Sequence, residues 1–210
     1  MPLPAEVSDH VASLLDGADS RVLVGITGPP GAGKTTLARA LVTDFIGRFG
    51  RAAVGYVPMD GFHLSDAVLE RLGRRNRKGA PDTFDAAGFV ALLHRIREMG
   101  HDICVPDFDH TAGEPISASL IVPAAARLVV VEGNYLGLDE PVWREVRQLL
   151  DRLVYVDADT AVRRERLRER HIAAGKTDAD SLAWIGSVDE PNAALIATSR
   201  NRADLVVLND

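Results

Sequence analysis

The stretch Gly28-Pro29-Pro30-Gly31-Ala32-Gly33-Lys34-Thr35 decides the fold. It fits the phosphate-loop pattern G-x-x-x-x-G-K-[ST]. It also lies between an apolar run at residues 22–27 and a helical pattern at residues 34–47, as such a loop requires. Chance would produce the four fixed positions in roughly one chain of this size in a hundred. We therefore predict a nucleotide-binding strand, loop and helix here.

Each residue type in this loop suits a phosphate chain. Glycine lets backbone N–H groups converge on phosphate oxygens with no Cβ in the way, and the N-terminus of the next helix adds positive charge. Lys34 can place a cation between the β and γ phosphates, and the Thr35 hydroxyl can ligate Mg²⁺. The predicted nucleotide-binding residues are Gly28, Pro29, Pro30, Gly31, Ala32, Gly33, Lys34, Thr35 and Thr36.

Short β-branched runs alternate with helical patterns along the chain, which is typical of parallel β-α-β units. We predict one domain over residues 1–210 with the three-layer α/β fold of P-loop nucleoside triphosphate hydrolases. Its features are a mainly parallel five-stranded core sheet, helices on both faces and an arginine-rich segment at about residues 163–180. The predicted parallel strands lie at residues 22–27, 53–57, 103–106, 127–131 and 153–156, and a last strand lies at residues 203–208.

Composition narrows the class of protein. The formal net charge of -6 argues against a nucleic-acid binder, and the apolar runs are far shorter than the roughly 20 residues of a membrane helix. The N-terminus lacks the features of a signal peptide, and the single cysteine, Cys104, fits a reducing compartment as a small buried residue. We predict a cytoplasmic protein whose partner is a small molecule, with neither nucleic acid nor membrane. The oligomeric state stays open, with a homodimer among the options.

Second motifs separate the classes of P-loop protein. The sequence has no N-K-x-D for reading guanine and no L-S-G-G-Q. The apolar run at residues 129–131 ends in one acid, Glu132, rather than in an Asp-Glu pair. These features favour a kinase over a GTPase or an ABC-type ATPase.

Two acids follow predicted strands at the edge of the sheet that holds the phosphate loop. From its strand-end position we predict that Asp60 accepts or orients the proton of an acceptor hydroxyl. A bare carboxylate after an apolar strand is costly unless it is paired, hydrated or bound to a cation, so we predict that Glu132 ligates Mg²⁺ together with Thr35. The alternatives are a turn-capping role for Asp60 and a structural ion pair for Glu132.

Six motifs extend the argument over most of the chain. They lie at residues 28–36, 59–63, 78–85, 106–110, 131–135 and 157–170. In this order they resemble the family of uridine kinases, phosphoribulokinases and type I pantothenate kinases, and within it the bacterial proteins called fructose transport system kinase or fructokinase. The resemblance implies a kinase that needs ATP and Mg²⁺ and phosphorylates a hydroxyl of a small molecule.

The resemblance also implies that residues 163–180 form a lid and that its arginines close over the transferred phosphoryl group. Arg164 and Arg168, four residues apart, share one helix face, and we predict that they contact it together with Lys34. A second row consists of Arg163, Arg166 and Arg170. The alternative is a solvated helix whose arginines pair with its own glutamates.

Residues just past strand ends on the active-site side are candidates for holding the acceptor. The predicted acceptor-binding residues are His63, Lys78, Phe108, Asp109, His110 and Tyr135. The basic loop at residues 74–78 could attract an anionic acceptor, although a solvated charge run is the simpler interpretation.

The acceptor itself is the least determined feature. Uridine kinases usually have an acidic residue and a histidine where this chain has Gly79-Ala80, which disfavours uridine and cytidine. We predict a sugar such as fructose. A nucleoside or pantothenate-like alcohol is the alternative, and a nucleotide-dependent regulatory ATPase is the alternative from another class.

Overall fold

The computed structural model describes residues 3–98 and 100–210. The helices within these residues are α1 (Ala5–Asp16), α2 (Lys34–Phe49), α3 (Asp66–Arg71), α4 (Ala86–Glu98), α5 (Pro141–Leu149), α6 (Thr160–Ala173), α7 (Asp178–Trp184) and α8 (Glu190–Ala197). The strands are β1 (Val22–Thr27), β2 (Val54–Pro58), β3 (Ile103–Asp109), β4 (Glu114–Val122), β5 (Leu128–Glu132), β6 (Arg152–Asp157) and β7 (Leu205–Leu208).

The core is a five-stranded sheet with the order β2-β5-β1-β6-β7, and every neighbouring pair is parallel. β1 and β5 are buried along their whole length, as their continuous apolar runs predict for strands covered on both faces. Pro58 of β2 and Ile26 of β1 both lie opposite Glu132 of β5. The carboxyl ends of these strands therefore meet at one edge, which is where ligands bind in open α/β sheets.

Helices cover both faces of this sheet, as predicted. On one face α1 and α2 bury side chains such as Val11, Leu41 and Phe45. On the other face α4 and α5 bury side chains such as Phe89 and Trp143. Full burial of one such side chain stabilises the fold by about 1.5–3 kcal/mol. The predicted α/β fold with a parallel five-stranded core is confirmed.

The strand predicted at residues 103–106 does not belong to the core sheet. It forms part of β3, which pairs antiparallel with β4, a strand that the sequence pattern did not predict. The fifth parallel strand is instead β7, which pairs with β6. Cys104 is exposed rather than buried, because successive side chains of a strand point to opposite faces and its neighbours Ile103 and Val105 face the core.

None of the helices in the described ranges is both long and apolar enough to cross a membrane.

Candidate functional site

The phosphate loop packs closely against strand β6 and helix α6. Gly28, Gly31 and Gly33 have φ angles of 144°, 80° and 95°, in the region that favours glycine. A Cβ on Gly28 would overlap the backbone oxygen of Val156 in β6, and one on Gly31 would lie 2.6 Å from the backbone oxygen of Arg163 in α6. The loop can approach β6 and α6 this closely only with glycine, and it leads directly into the N-terminus of the 16-residue helix α2.

Lys34 lies inside this loop. Its side chain is 7% exposed, and its ammonium group donates a hydrogen bond to the backbone oxygen of Pro29 at 3.1 Å. Burial lowers the pKa of Lys34, while the negative charges of Glu132 and Asp60 act in the opposite direction. A buried cation at the N-terminus of a helix suits an anionic ligand such as a phosphate chain.

Glu132, the last residue of β5, lies near the phosphate loop. Its side chain is 5% exposed, and burial together with the charge of Asp60 raises the pKa of its carboxyl group. The charge of Lys34 and the hydroxyl of Thr35 lower this pKa and so favour the ionised form. A carboxylate and a hydroxyl beside a phosphate cradle are hard oxygen donors of the kind that Mg²⁺ takes, so these residues fit the ion.

Asp60 lies in a 3-10 turn, Met59–Phe62, that continues from β2. Gly133 lets this turn pack on the end of β5, since a Cβ there would lie 2.5 Å from Met59 Cβ. Gly61 lets the same turn pack on the hairpin formed by β3 and β4, since a Cβ on Gly61 would lie 2.5 Å from the backbone oxygen of Pro106. The turn holds the Asp60 carboxylate, which is about one-third exposed, near enough to act electrostatically on both Lys34 and Glu132. The structure thus brings together the three predicted charged groups.

Helix α6 presents a different set of arginines to the loop from the one predicted. Arg163 is buried and donates to the backbone oxygen of Pro30 at 3.2 Å. Arg163 and Arg170 both lie near enough to Lys34 to lower its pKa, after the larger effect of burial. Arg168 instead pairs with Asp178 at 2.5 Å and with Glu165 at 3.0 Å on the outside of the helix.

Arg164 is exposed, one residue beyond Arg163. Residues 163, 167 and 170 share one helical face, and Leu167 between the two arginines is buried. The apolar Leu167 was the sequence signal that could have identified this face.

A group of aromatic rings lies next to the turn that carries Asp60. The His63 ring lies 4.0 Å from the Phe84 ring and 4.7 Å from the Phe108 ring, measured between centroids, and His110 lies 5.2 Å from Phe108. The His63 Nδ1 atom is 2.9 Å from the Asp60 backbone oxygen. Three of the predicted acceptor-binding residues therefore form one wall next to Asp60.

Asp109 is part of the hairpin turn rather than of this wall. Its carboxylate accepts hydrogen bonds from the backbone N–H groups of Thr111 and Ala112 at 2.8 and 3.1 Å. These bonds lower the pKa of the Asp109 carboxyl group.

Two other predicted acceptor-binding side chains already have protein partners. The Tyr135 ring is fully buried, and its hydroxyl donates to the backbone oxygen of Gly79. The Lys78 ammonium group lies 2.6 Å from Asp66 Oδ1 and 3.9 Å from Glu114 Oε2. Both side chains hold loops in place around the site.

Two asparagines outside the six motifs also support the site. Asn209 donates from its side chain to the backbone oxygen of Ala32 in the phosphate loop at 2.7 Å. Asn192 of α8 donates to the same Gly79 oxygen as Tyr135, at 3.2 Å. Asn209 directly follows β7, and the residues around it form no motif that would predict this contact.

Comparisons with known proteins agree with this geometry. A family model described as the phosphoribulokinase / uridine kinase family matches residues 23–209. A Schizosaccharomyces pombe protein provisionally named a uridine kinase is 33% identical over 194 residues, which cover 89% of this chain and 83% of the relative. A pantothenate kinase of Bradyrhizobium sp. (strain BTAi1) is 29% identical over 161 residues, covering 74% of this chain and 51% of the relative.

A solved structure is also similar over nearly the full length. It comes from Silicibacter sp. TM1040, and its protein is provisionally named a fructose transport system kinase. It is 33% identical with a TM-score of 0.88, and the match covers 97% of this chain and 98% of the other. Together with the phosphate loop and the acids at its edge, these matches show that the chain belongs to the phosphoribulokinase / uridine kinase family and is an ATP-dependent phosphotransferase that acts on a hydroxyl group.

Proposed function

We propose that this kinase transfers the γ-phosphoryl group of ATP to a hydroxyl of a small polyhydroxylated metabolite, with a sugar such as fructose as the first candidate. The observation that carries the proposal is the position of Asp60. It lies near enough to the buried pair Lys34 and Glu132 to raise the pKa of both, and its Oδ1 atom is 4.0 Å from Nδ1 of His63, whose ring packs against Phe108.

Each of these residues has a distinct task in the proposed reaction. Bound ATP supplies the transferable group, and Mg²⁺ offsets charge on its oxygens. Thr35 and Glu132 would hold the ion, and Lys34 stabilises charge on the phosphate chain. Asp60 orients the acceptor hydroxyl in line and takes its proton on a carboxylate oxygen as the new oxygen–phosphorus bond forms and the bond to ADP breaks. Because the transition state is loose, this alignment matters more than base strength.

The arrangement of α6 supports Arg170 as the lid arginine that meets the transferred group, with Arg163 bracing the loop. Arg163 is held by Pro30 and lies 3.6 Å from Glu190, so it is fixed in place before ligands bind. Arg164, predicted from the sequence, remains a second candidate, and both Arg164 and Arg170 are exposed. Arg168 is better explained as a surface ion pair.

The wall beside Asp60 supports His63, Phe108 and His110 as acceptor contacts, because stacked rings can pack against the apolar face of a sugar while a carboxylate accepts from its hydroxyl groups. A nucleoside or pantothenate-like alcohol remains the alternative acceptor. A cytoplasmic location also remains a prediction.

The test is ADP formation with ATP and Mg²⁺ over a panel of sugars, nucleosides and pantothenate, with each phosphorylated product identified by mass spectrometry. We expect one polyol to stimulate ADP release by at least tenfold with stoichiometric product. A slow ATPase activity that no acceptor stimulates, and that a partner protein changes instead, would overturn the proposal in favour of a regulatory ATPase.

A further inference from the structure

Lys78 is held by the protein and is not available to an acceptor. Its ammonium group is 2.6 Å from Asp66 Oδ1, donates to the backbone oxygen of Gly113, and lies 3.9 Å from Glu114 Oε2. The side chain is only 15% exposed. Lys78 therefore ties its loop to the hairpin, and its charge is balanced before any ligand binds.

The arginines of the same loop are also paired. Arg74 and Arg77 reach Asp82 at 3.4 and 2.5 Å, and Arg75 reaches Asp66 at 2.6 Å. The side-chain hydrogen bond from Lys78, the largest effect, and that from Arg75 lower the pKa of Asp66, which keeps it ionised. The run that looks basic in the sequence is thus largely neutralised in the folded protein.

Carboxylates remain on the acceptor side of the phosphate loop. Asp60 Oδ1 lies 4.0 Å from His63 Nδ1, and burial lowers the pKa of His63, which disfavours the charged form of the imidazole. Asp107 lies beside the Asp60 turn, since a Cβ on Gly61 would be 3.0 Å from the Asp107 backbone nitrogen. Its Oδ1 atom accepts from the Phe108 backbone N–H at 2.8 Å. The carboxylates of Asp60 and Asp107 both lie near Tyr56 of β2, where they raise the pKa of its hydroxyl after the larger effects of burial and of Glu132.

From this charge arrangement we infer that the acceptor is an uncharged polyhydroxy compound and that the pocket discriminates against carboxylated or phosphorylated ones. The inference rests on the proposed kinase function and narrows its substrate class. Carboxylates accept hydrogen bonds from hydroxyl groups but repel anions. An anionic acceptor would have to break an existing ion pair to find a cation in the loop at residues 74–78.

The experiment compares kcat/KM within pairs of neutral and anionic acceptors. Pantothenol and pantothenate, and glycerol and glycerate, differ by one negative charge, and fructose and phosphorylated fructose differ by about 1.5–2 charges at pH 7. We expect the neutral member to be preferred by at least tenfold in every pair that reacts. Preference for the anionic member would overturn the inference and leave the kinase intact. Nucleotide binding without transfer to either member of any pair would instead count against the proposed function, and against this inference with it.

A variant isolates the charge. Asp107→Asn keeps the size and the hydrogen-bonding oxygen but removes the negative charge, so we expect the ratio of anionic to neutral kcat/KM to rise at least threefold. Asp16→Asn, an exposed acid at the end of α1, is the matched control and should leave the ratio unchanged. An unchanged ratio in Asp107→Asn, with the variant folded by circular dichroism, would contradict the inference.

Discussion

The two halves of the active site are built in different ways. The phosphate half, made of residues 28–36 with Glu132 and α6, relies on one contiguous motif whose backbone fits against β6 and α6. The acceptor half, made of residues 59–63, 78–84 and the β3–β4 hairpin, relies on separate segments joined by side-chain contacts such as Lys78 to Asp66. In the proposed reaction, backbone geometry would thus hold the nucleotide and separate side chains would hold the acceptor.

The strongest test of this division is Asp60→Asn, which we expect to lower kcat by about 1000-fold because the acceptor hydroxyl loses the carboxylate that aligns it and takes its proton. Affinity for a non-hydrolysable ATP analogue, measured by calorimetry, should stay within about twofold of the wild type. If kcat stays near normal, Asp60 has no part in the reaction.

Lys34→Ala tests the phosphate half. We expect a loss of about 100-fold in kcat/KM, because the cation touches the phosphates both before and during transfer. Unlike Asp60→Asn, this change should weaken the ATP analogue markedly as well. Steady-state kinetics and calorimetry on the two variants give the contrast directly, and unaltered kinetics would contradict the assignment of the loop.

The arginines of α6 sharpen the boundary between the halves. Arg170→Ala should reduce kcat by roughly tenfold or more through lost stabilisation of phosphoryl charge. Arg168→Ala should change kcat by less than about threefold, because surface ion pairs such as those to Asp178 and Glu165 contribute little. A larger loss of kcat in Arg168→Ala than in Arg170→Ala would indicate instead that the helix face with Arg164 and Arg168 contacts the transferred group.

The smallest predicted effect concerns pH and the acceptor half. Burial lowers the pKa of His63, so around its ordinary value of about 6.5 the unfolded chain binds more protons than the folded one. Stability should therefore fall as the pH drops below about 6.5, and His63→Gln should flatten this slope in urea unfolding between pH 5 and pH 7. His101→Gln, at an exposed site, should keep the wild-type slope.

Much of the phosphate half was predictable because its residues are adjacent in the sequence. The pattern at residues 28–35 locates the loop, and the end of an apolar run places Glu132 at the edge of the sheet beside it. The same signal places Asp60 of the acceptor half at this edge, where the structure brings it near Glu132. The contact of Asn209 with Ala32 was not predictable, since 177 residues separate the two.

The acceptor half was less predictable, because its residues come from segments that are far apart in the sequence. The short apolar run at residues 103–106 looks like a core strand, and only its partner β4 shows that it belongs to a hairpin. A list of basic residues at 74–78 does not reveal that Asp66 and Asp82 pair with them. Pairings between distant segments are set by tertiary packing, which a local pattern does not record.

Helix α8 touches both halves within three residues, through Glu190 beside Arg163 and through Asn192 on the Gly79 oxygen. In thermodynamic terms, it is a shared element whose position can be biased from either side. Coupling between sites is reciprocal, so any gain in acceptor affinity that ATP brings about through α8 is matched by an equal gain in ATP affinity when the acceptor binds first.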